Sequence, residues 1–171
     1  MNKTKLVNCF LSGRRKSISK YENQTEELQS KVLQKLIRQA IHTEWGQTHG
    51  FAQVNDYNSF TKTSPINTYE ELKGYIDRMR RGEKDVLWSG KVRWYAKSSG
   101  TTNDKSKFIP VSKECLQDTH YRGGTDAVAL YLGQNPRSRM FDGKALILGG
   151  SHSPNYNLPH SLVGDLSAIL I

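Results

Sequence analysis

Between Leu28 and Ile41 the apolar residues fall in rows: Leu28, Val32, Leu36 and Ala40, with Leu33, Ile37 and Ile41 beside them. This spacing predicts an amphipathic helix of about five turns. Asn23 and Glu26 read as its opening pair, and Gly46 as its stop signal. After Pro65, Thr68 and Glu71 have the spacing of a capping box. Leu72, Tyr75, Ile76 and Met79 then share one helical face, and Gly82 is placed to end that helix. The run Arg78, Arg80, Arg81 at its end reads as solvated cations favoured by the helix dipole.

Val86–Trp88 and Val92–Ala96 read as strands separated by the turn signal Ser89-Gly90, and Phe108–Val111 as a further short apolar segment. Ser112 is placed to cap a helix from about Lys113 through Leu116, His120, Ala127 and Leu130 to Gly133. The pair Gly123-Gly124 inside it costs about 1 kcal/mol per glycine, which implies close packing against a strand layer or a break. Gly143–Ser151 reads as a buried strand ending in a glycine turn. Strand, helix and strand in this order predict a crossover unit, an α/β class and a mixed or mostly parallel sheet with flanking helices.

The chain has 171 residues, enough for a sizeable core in one domain. Its apolar runs fall well short of the ~20 residues of a membrane span. The net charge of +9 is uneven: Lys3, Lys5, Arg14, Arg15, Lys16 and Lys20 lie in the first twenty residues, which hold no acid. Such a tail can bind nucleic acid or an anionic membrane surface. Without aromatic residues to stack bases, residues 1–20 read instead as a solvated, basic helical arm. Leu6–Leu11 is too short and interrupted for a signal peptide. Cys9 and Cys115 provide neither a disulfide framework nor a metal motif, and suit a reducing cytoplasm.

The chemistry concentrates in Lys97-Ser98-Ser99-Gly100-Thr101-Thr102-Asn103-Asp104-Lys105-Ser106-Lys107-Phe108-Ile109-Pro110. Hydroxyls donate hydrogen bonds to phosphate oxygens and lysine supplies a point charge. Gly100 permits a positive φ and close backbone approach to a ligand, and successive N–H groups in such a turn can cradle an anion. It is not a Walker A loop, because Lys105 stands where the second glycine is required. The plain alternative is a solvated turn, since Ser, Thr, Gly and Asn are turn residues. Elsewhere, His152, His160 and Asp165 lack the closely spaced pair that a metal site uses. No general base or covalent nucleophile stands out, because Cys115 and the histidines have no evident partners.

Ser98-Ser99-Gly100-Thr101-Thr102, followed by Lys107 and Pro110, resembles the phosphate loop of the auxin-responsive acyl-acid amido synthetases (the Gretchen Hagen three family) within the acyl-adenylate-forming enzymes. Three further stretches resemble that family in the same order: Thr43–Phe51, Ser64–Arg78 and Gly143–Ser151. Asn103 and Asp104 depart from its pattern, standing where glycines are frequent; both tolerate left-handed backbone. The resemblance implies the N-terminal part of an adenylating large domain, with residues 1–20 as the arm and 21–171 as an α/β segment holding the loop at 97–110. The apolar ending Gly164–Ile171 likewise reads as the interior of a longer chain. The implied activity is ATP-dependent activation of a small-molecule carboxylic acid as an acyl-adenylate, with Mg2+ accompanying the ATP. Conjugation to an amine or amino acid follows. Ser98, Ser99, Gly100, Thr101, Thr102 and Lys107 would hold the nucleotide phosphates, with Lys105 as a weaker candidate, while catalytic residues and metal ligands are not assigned. The 171 residues alone are expected to be inactive. A thioester-forming adenylating ligase is the related alternative, and an anion or nucleic-acid binder using the basic N-terminus is the unrelated one.

Overall fold

The computed structural model describes residues 3–98 and 106–170. In chain order the helices are α1 (Lys3–Phe10), α2 (Ser12–Ile18), α3 (Thr25–Ala40), α4 (Glu44–Thr48), α5 (Tyr57–Thr63) and α6 (Tyr69–Arg80). Strands β1 (Trp94–Lys97) and β2 (Phe108–Val111) follow. A π-helical stretch, Cys115–Tyr121, leads into α7 (Arg122–Gln134), and β3 (Leu162–Gly164) and α8 (Leu166–Ile169) complete the set. The chain divides into two compact units, residues 1–28 with 114–148 and residues 29–113 with 149–171.

In the first unit the basic N-terminus is helical, but its arginines are not free in solvent. The Arg14 guanidinium grips Asp126 on α7 with both ends, Nε to Oδ1 at 2.6 Å and Nη2 to Oδ2 at 2.7 Å. That partner holds the Asp126 carboxyl below its usual range. Arg15 donates to the Asn8 side chain and to the Ala129 carbonyl. Thr4 is buried and bonded to Asp142 and to the Phe141 N–H. The reading of residues 1–20 as a solvated arm is therefore corrected for Arg14 and Arg15, which bond neighbours within the unit, while Lys3, Lys5, Lys16 and Lys20 are exposed. Helix α7 runs unbroken through Gly123 and Gly124, and a Cβ at either position would meet open space. Neither close packing nor a break explains that pair.

The second unit contains the sheet, in the order β2-β1-β3. β1 and β2 form an antiparallel hairpin with Trp94 opposite Val111 and Lys97 opposite Phe108. β1 and β3 are parallel, Trp94 beside Leu162 and Ala96 beside Gly164. The sheet is thus mixed and flanked by helices. Pro110, which cannot donate to a ladder, lies on edge strand β2, where such a residue is tolerated. One core gathers Ile76, Met79, Val86, Val92, Tyr95 and Val163, and α6 delivers the first two as its apolar face requires. Its capping box, Thr68 with Glu71, is present. A second cluster joins Ile37 and Ala40 to Phe51 and Val54. Only part of the expected stripe on α3 is used, for Val32 and Leu36 point to solvent.

Three local expectations are corrected. Gly46 does not stop α3, which ends at Ala40; Thr43 caps a new helix, α4, and Gly46 lies buried inside it. A Cβ there would sit 2.1 Å from the Ala40 carbonyl oxygen, so close approach is what requires the glycine. Val86–Trp88 is not a strand. Its backbone instead satisfies the open N-terminus of α4: Glu44 N–H donates to the Asp85 carbonyl (2.7 Å) and Trp45 N–H to the Val86 carbonyl (3.0 Å). Gly143–Ser151 is not a buried strand either, with Leu146 and Leu148 87% and 86% exposed. The parallel place beside β1 is filled by Leu162–Gly164, whose Val163 is buried. Only the end of the run approaches the sheet, where the Asp165 N–H, just after β3, donates to the Ser151 carbonyl (3.0 Å).

These contacts give two tests. Gly46→Ala should cost about 1–3 kcal/mol through overpacking, whereas Gly124→Ala in open helix should gain about 0.5–1 kcal/mol, both read from urea midpoints. Tyr95 is fully buried, its hydroxyl has no partner among the described residues, and burial pushes it up to about 12. Because the folded value lies above the unfolded one of about 10, its contribution is intact below pH ~10 and lost as pH rises towards 12. Alkaline melts of Tyr95→Phe should lack that component of the loss.

Candidate functional site

Ser98 and Lys107 are the described residues on either side of the hydroxyl-rich stretch. Ser98 N–H donates to the Lys107 carbonyl at 3.0 Å, extending the β1–β2 ladder by one bond. The two strands that flank the stretch are therefore a hairpin stem fixed by sheet register. Ser99, Gly100, Thr101 and Thr102, together with Lys105, lie outside the described residues. Ser98 is half-buried and Lys107 exposed, so the fold brings together the first and last of the expected phosphate residues.

The stem is dressed with cations and aromatic rings. Lys97 Nζ lies over the Tyr156 ring, 4.4 Å from its centroid, and Lys107 Nζ over the Tyr69 ring at 5.5 Å. Both distances are within the range of cation–π attraction. The Tyr69 hydroxyl accepts from the Phe108 N–H at 2.9 Å, which ties the first turn of α6 to the first residue of β2. Tyr156 and Phe108 are neighbours, with ring centroids 5.7 Å apart.

Arg80 lies beneath this layer. Its guanidinium sits 3.8 Å from the Phe108 centroid and donates from Nη2 to the Tyr156 carbonyl at 2.7 Å. It is only 9% exposed, and its Nε has no partner among the described residues. The expectation of a solvated helix end is thereby corrected for Arg80. The aromatic face and the carbonyl replace water around the cation, which a dipole argument on the helix alone does not anticipate. Arg78 differs: it bonds Glu44 (Nη1 to Oε1, 3.0 Å) and Glu83, and holds both carboxyls below their usual range. Arg78 is thus neutralised, whereas Arg80, Lys97 and Lys107 form no ion pair with a described residue.

The other titratable residues are engaged elsewhere. His152 packs on Trp94 at 5.4 Å, His160 lies against Gly82, and Asp165 accepts from the Ser151 N–H at 3.0 Å. Among the described residues no group of three metal-binding side chains is found. His120 is half-buried in the π-helical stretch, and neither cysteine is in a disulfide. No helix among the described residues is long and apolar enough to cross a membrane. Sequence reasoning missed Lys97 and Tyr156 as parts of the stem. For Lys97 a signal existed, its position directly before Ser98, but Tyr156 lies far along the chain and only the fold brings it near.

Comparison with known proteins places this architecture. Jasmonoyl–L-amino acid synthetase JAR6 of Nicotiana attenuata is 32% identical over 108 residues, covering 61% of this chain and 19% of that protein. Indole-3-acetic acid-amido synthetase GH3.15 of Arabidopsis thaliana is 32% identical over 93 residues, 54% of this chain and 16% of that protein. The chain thus matches less than a fifth of the length of these curated relatives. Among solved structures, a GH3.15 acyl acid amido synthetase superposes with a TM-score of 0.67 at 24% identity, covering 89% of this chain and 28% of that one. A complex of AtGH3.15 with 2,4-DB gives 0.70 at 24% identity, covering 90% and 27%. These superpositions show a shared fold. The model of the GH3 family N-terminal domain matches residues 14–163, hairpin included, and the chain belongs to that family.

Proposed function

We propose that this chain is the N-terminal portion of an ATP-dependent acyl-acid amido synthetase, and that its hairpin tip holds the nucleotide's phosphates. The observation that carries the reading is the Ser98–Lys107 closure, which fixes both ends of a hydroxyl- and glycine-rich stretch on a stem whose Lys97 and Lys107 have no ion-pair partner among the described residues. Such a surface suits a polyanion. Family membership and the activities named for the relatives, jasmonoyl- and indole-3-acetic acid-amido synthetases, support the same chemistry.

In this reading Ser98, Ser99, Thr101 and Thr102 donate to phosphate oxygens. Gly100 lets the backbone approach, and Lys107 offsets negative charge on the departing group. A carboxylate oxygen attacks the α-phosphorus of ATP, the bond to the β,γ-phosphates breaks, and pyrophosphate leaves. The amine of an amino acid then attacks the acyl carbon, forming an amide, releasing AMP and giving up a proton. Magnesium accompanies the nucleotide as a counter-ion to its phosphates. Residues 1–171 form part of a larger adenylating domain, with residues 1–20 as a basic helical element. Two cysteines outside any disulfide favour the reducing cytoplasm as its setting.

The test is exchange of labelled pyrophosphate into ATP by the complete protein, across a panel of carboxylic acids including aromatic and fatty acids. Exchange should depend on one class of acid. Lys107→Ala should lower kcat/KM for ATP on the order of tenfold to a hundredfold, as loss of one charge-assisted hydrogen bond implies. Exchange with no acid, or exchange indifferent to Lys107→Ala, would overturn the assignment.

A further inference from the structure

The register of the hairpin separates its two flanking lysines. Lys97 stands directly opposite Phe108, so both side chains leave on the same face, the one that also carries Tyr95. Lys107 precedes Phe108 by one residue, and its ammonium lies over the ring of Tyr69 on the first turn of α6. The face of Lys97 is the more strongly built. Tyr156 lies beneath its ammonium, Phe108 beside Tyr156, and the buried Arg80 guanidinium against Phe108.

Two cations are thus stacked through two aromatic rings, and no described carboxylate compensates either. Like charges so arranged repel one another, and removal of Arg80 from water adds to the cost. The rings return part of this through cation–π attraction, but they carry no net charge. An anion near Lys97 would supply the missing countercharge. The arrangement also limits how Lys97 moves. A free lysine loses rotamer freedom when it binds a ligand, whereas one already resting on a ring is partly preorganised.

We propose that Lys97 is a further phosphate-binding residue, gripping a polyphosphate together with Lys107 but from its own aromatic support. Tyr156 and Phe108 hold it in place, and Arg80 acts from behind as a positioning residue. The inference rests on the reading of the hairpin as a polyphosphate site and adds a second lysine to it. Its ligand class is a linear polyphosphate, either the tail of a nucleoside triphosphate or free pyrophosphate, and two separately supported cations favour an extended chain over a single phosphate.

The probe is inorganic tripolyphosphate, titrated calorimetrically into the 171-residue protein, with single inorganic phosphate as a comparison. Wild type should bind tripolyphosphate more tightly than phosphate. Lys97→Met should weaken tripolyphosphate by about tenfold, and Lys97→Arg should restore most of the affinity. Tyr156→Leu should weaken binding in the same direction by a smaller factor. Tyr156→Phe should not, because it keeps both the ring and the backbone carbonyl that Arg80 uses. Lys62→Met, an exposed charge on α5, should leave the affinity unchanged. The proposal is overturned if Lys97→Met binds like wild type at an unchanged melting temperature, or if Lys62→Met loses as much. Equal losses in Tyr156→Phe and Tyr156→Leu would also remove the role given to the ring. A wild type that ignores tripolyphosphate removes this site and the reading beneath it together. Failure of pyrophosphate exchange, with tripolyphosphate binding still sensitive to Lys97, would remove the ligase and leave the anion site standing.

Discussion

The contact on which the second unit depends is the stacking of the Arg80 guanidinium against Phe108. A buried arginine is costly unless its charge is met. Here a ring face and the Tyr156 carbonyl meet it only in part, since Nε is left without a described partner. In return Arg80 connects three pieces distant in sequence: the end of α6, the start of β2 and the turn around Tyr156. Tyr69, at the start of α6, takes the Phe108 N–H. One helix therefore holds the same strand residue from both of its ends, and that residue follows the hairpin tip almost immediately.

This arrangement accounts for how a short, two-stranded stem is held in a defined geometry at Ser98 and Lys107. A hairpin alone is marginal in water. Here β3 adds a parallel neighbour, Tyr95 and Val163 anchor the underside in the core, and α6 covers that face. Rigid support beneath a polar loop is what binding a flexible, highly charged chain requires.

The distribution of charge follows the same division. In the first unit Arg14 is neutralised by Asp126, and Arg78 in the second unit is held between two glutamates. Around the hairpin, Arg80, Lys97 and Lys107 are met by rings rather than by any described carboxylate. Aromatic faces position a cation without cancelling its charge. Net charge alone, +9 over the chain, does not distinguish these two uses.

What the sequence determined by itself is what local physics controls. Thr68 and Glu71 announced α6 because a capping box is settled within four residues, and the short apolar runs Val92–Ala96 and Phe108–Val111 announced the strands β1 and β2. The helix from Lys113 to Gln134 was legible for the same reason, even through two glycines. Tertiary structure decided which apolar runs became strands. Leu146–Leu148 and Val86–Trp88 are as apolar as Leu162–Gly164, yet β1 has a single edge left for a parallel neighbour, and Leu162–Gly164 occupies it. It also decided that Gly46 is a point of close approach rather than a helix stop, and that Arg80 is buried rather than solvated. Those outcomes depend on partners twenty-eight to seventy-six residues away along the chain (Arg80 with Phe108 and with Tyr156), or on a chain reversal, as at Gly46 and Ala40. Periodicity and propensity register only near neighbours, so contacts of this kind become visible only once the chain is folded.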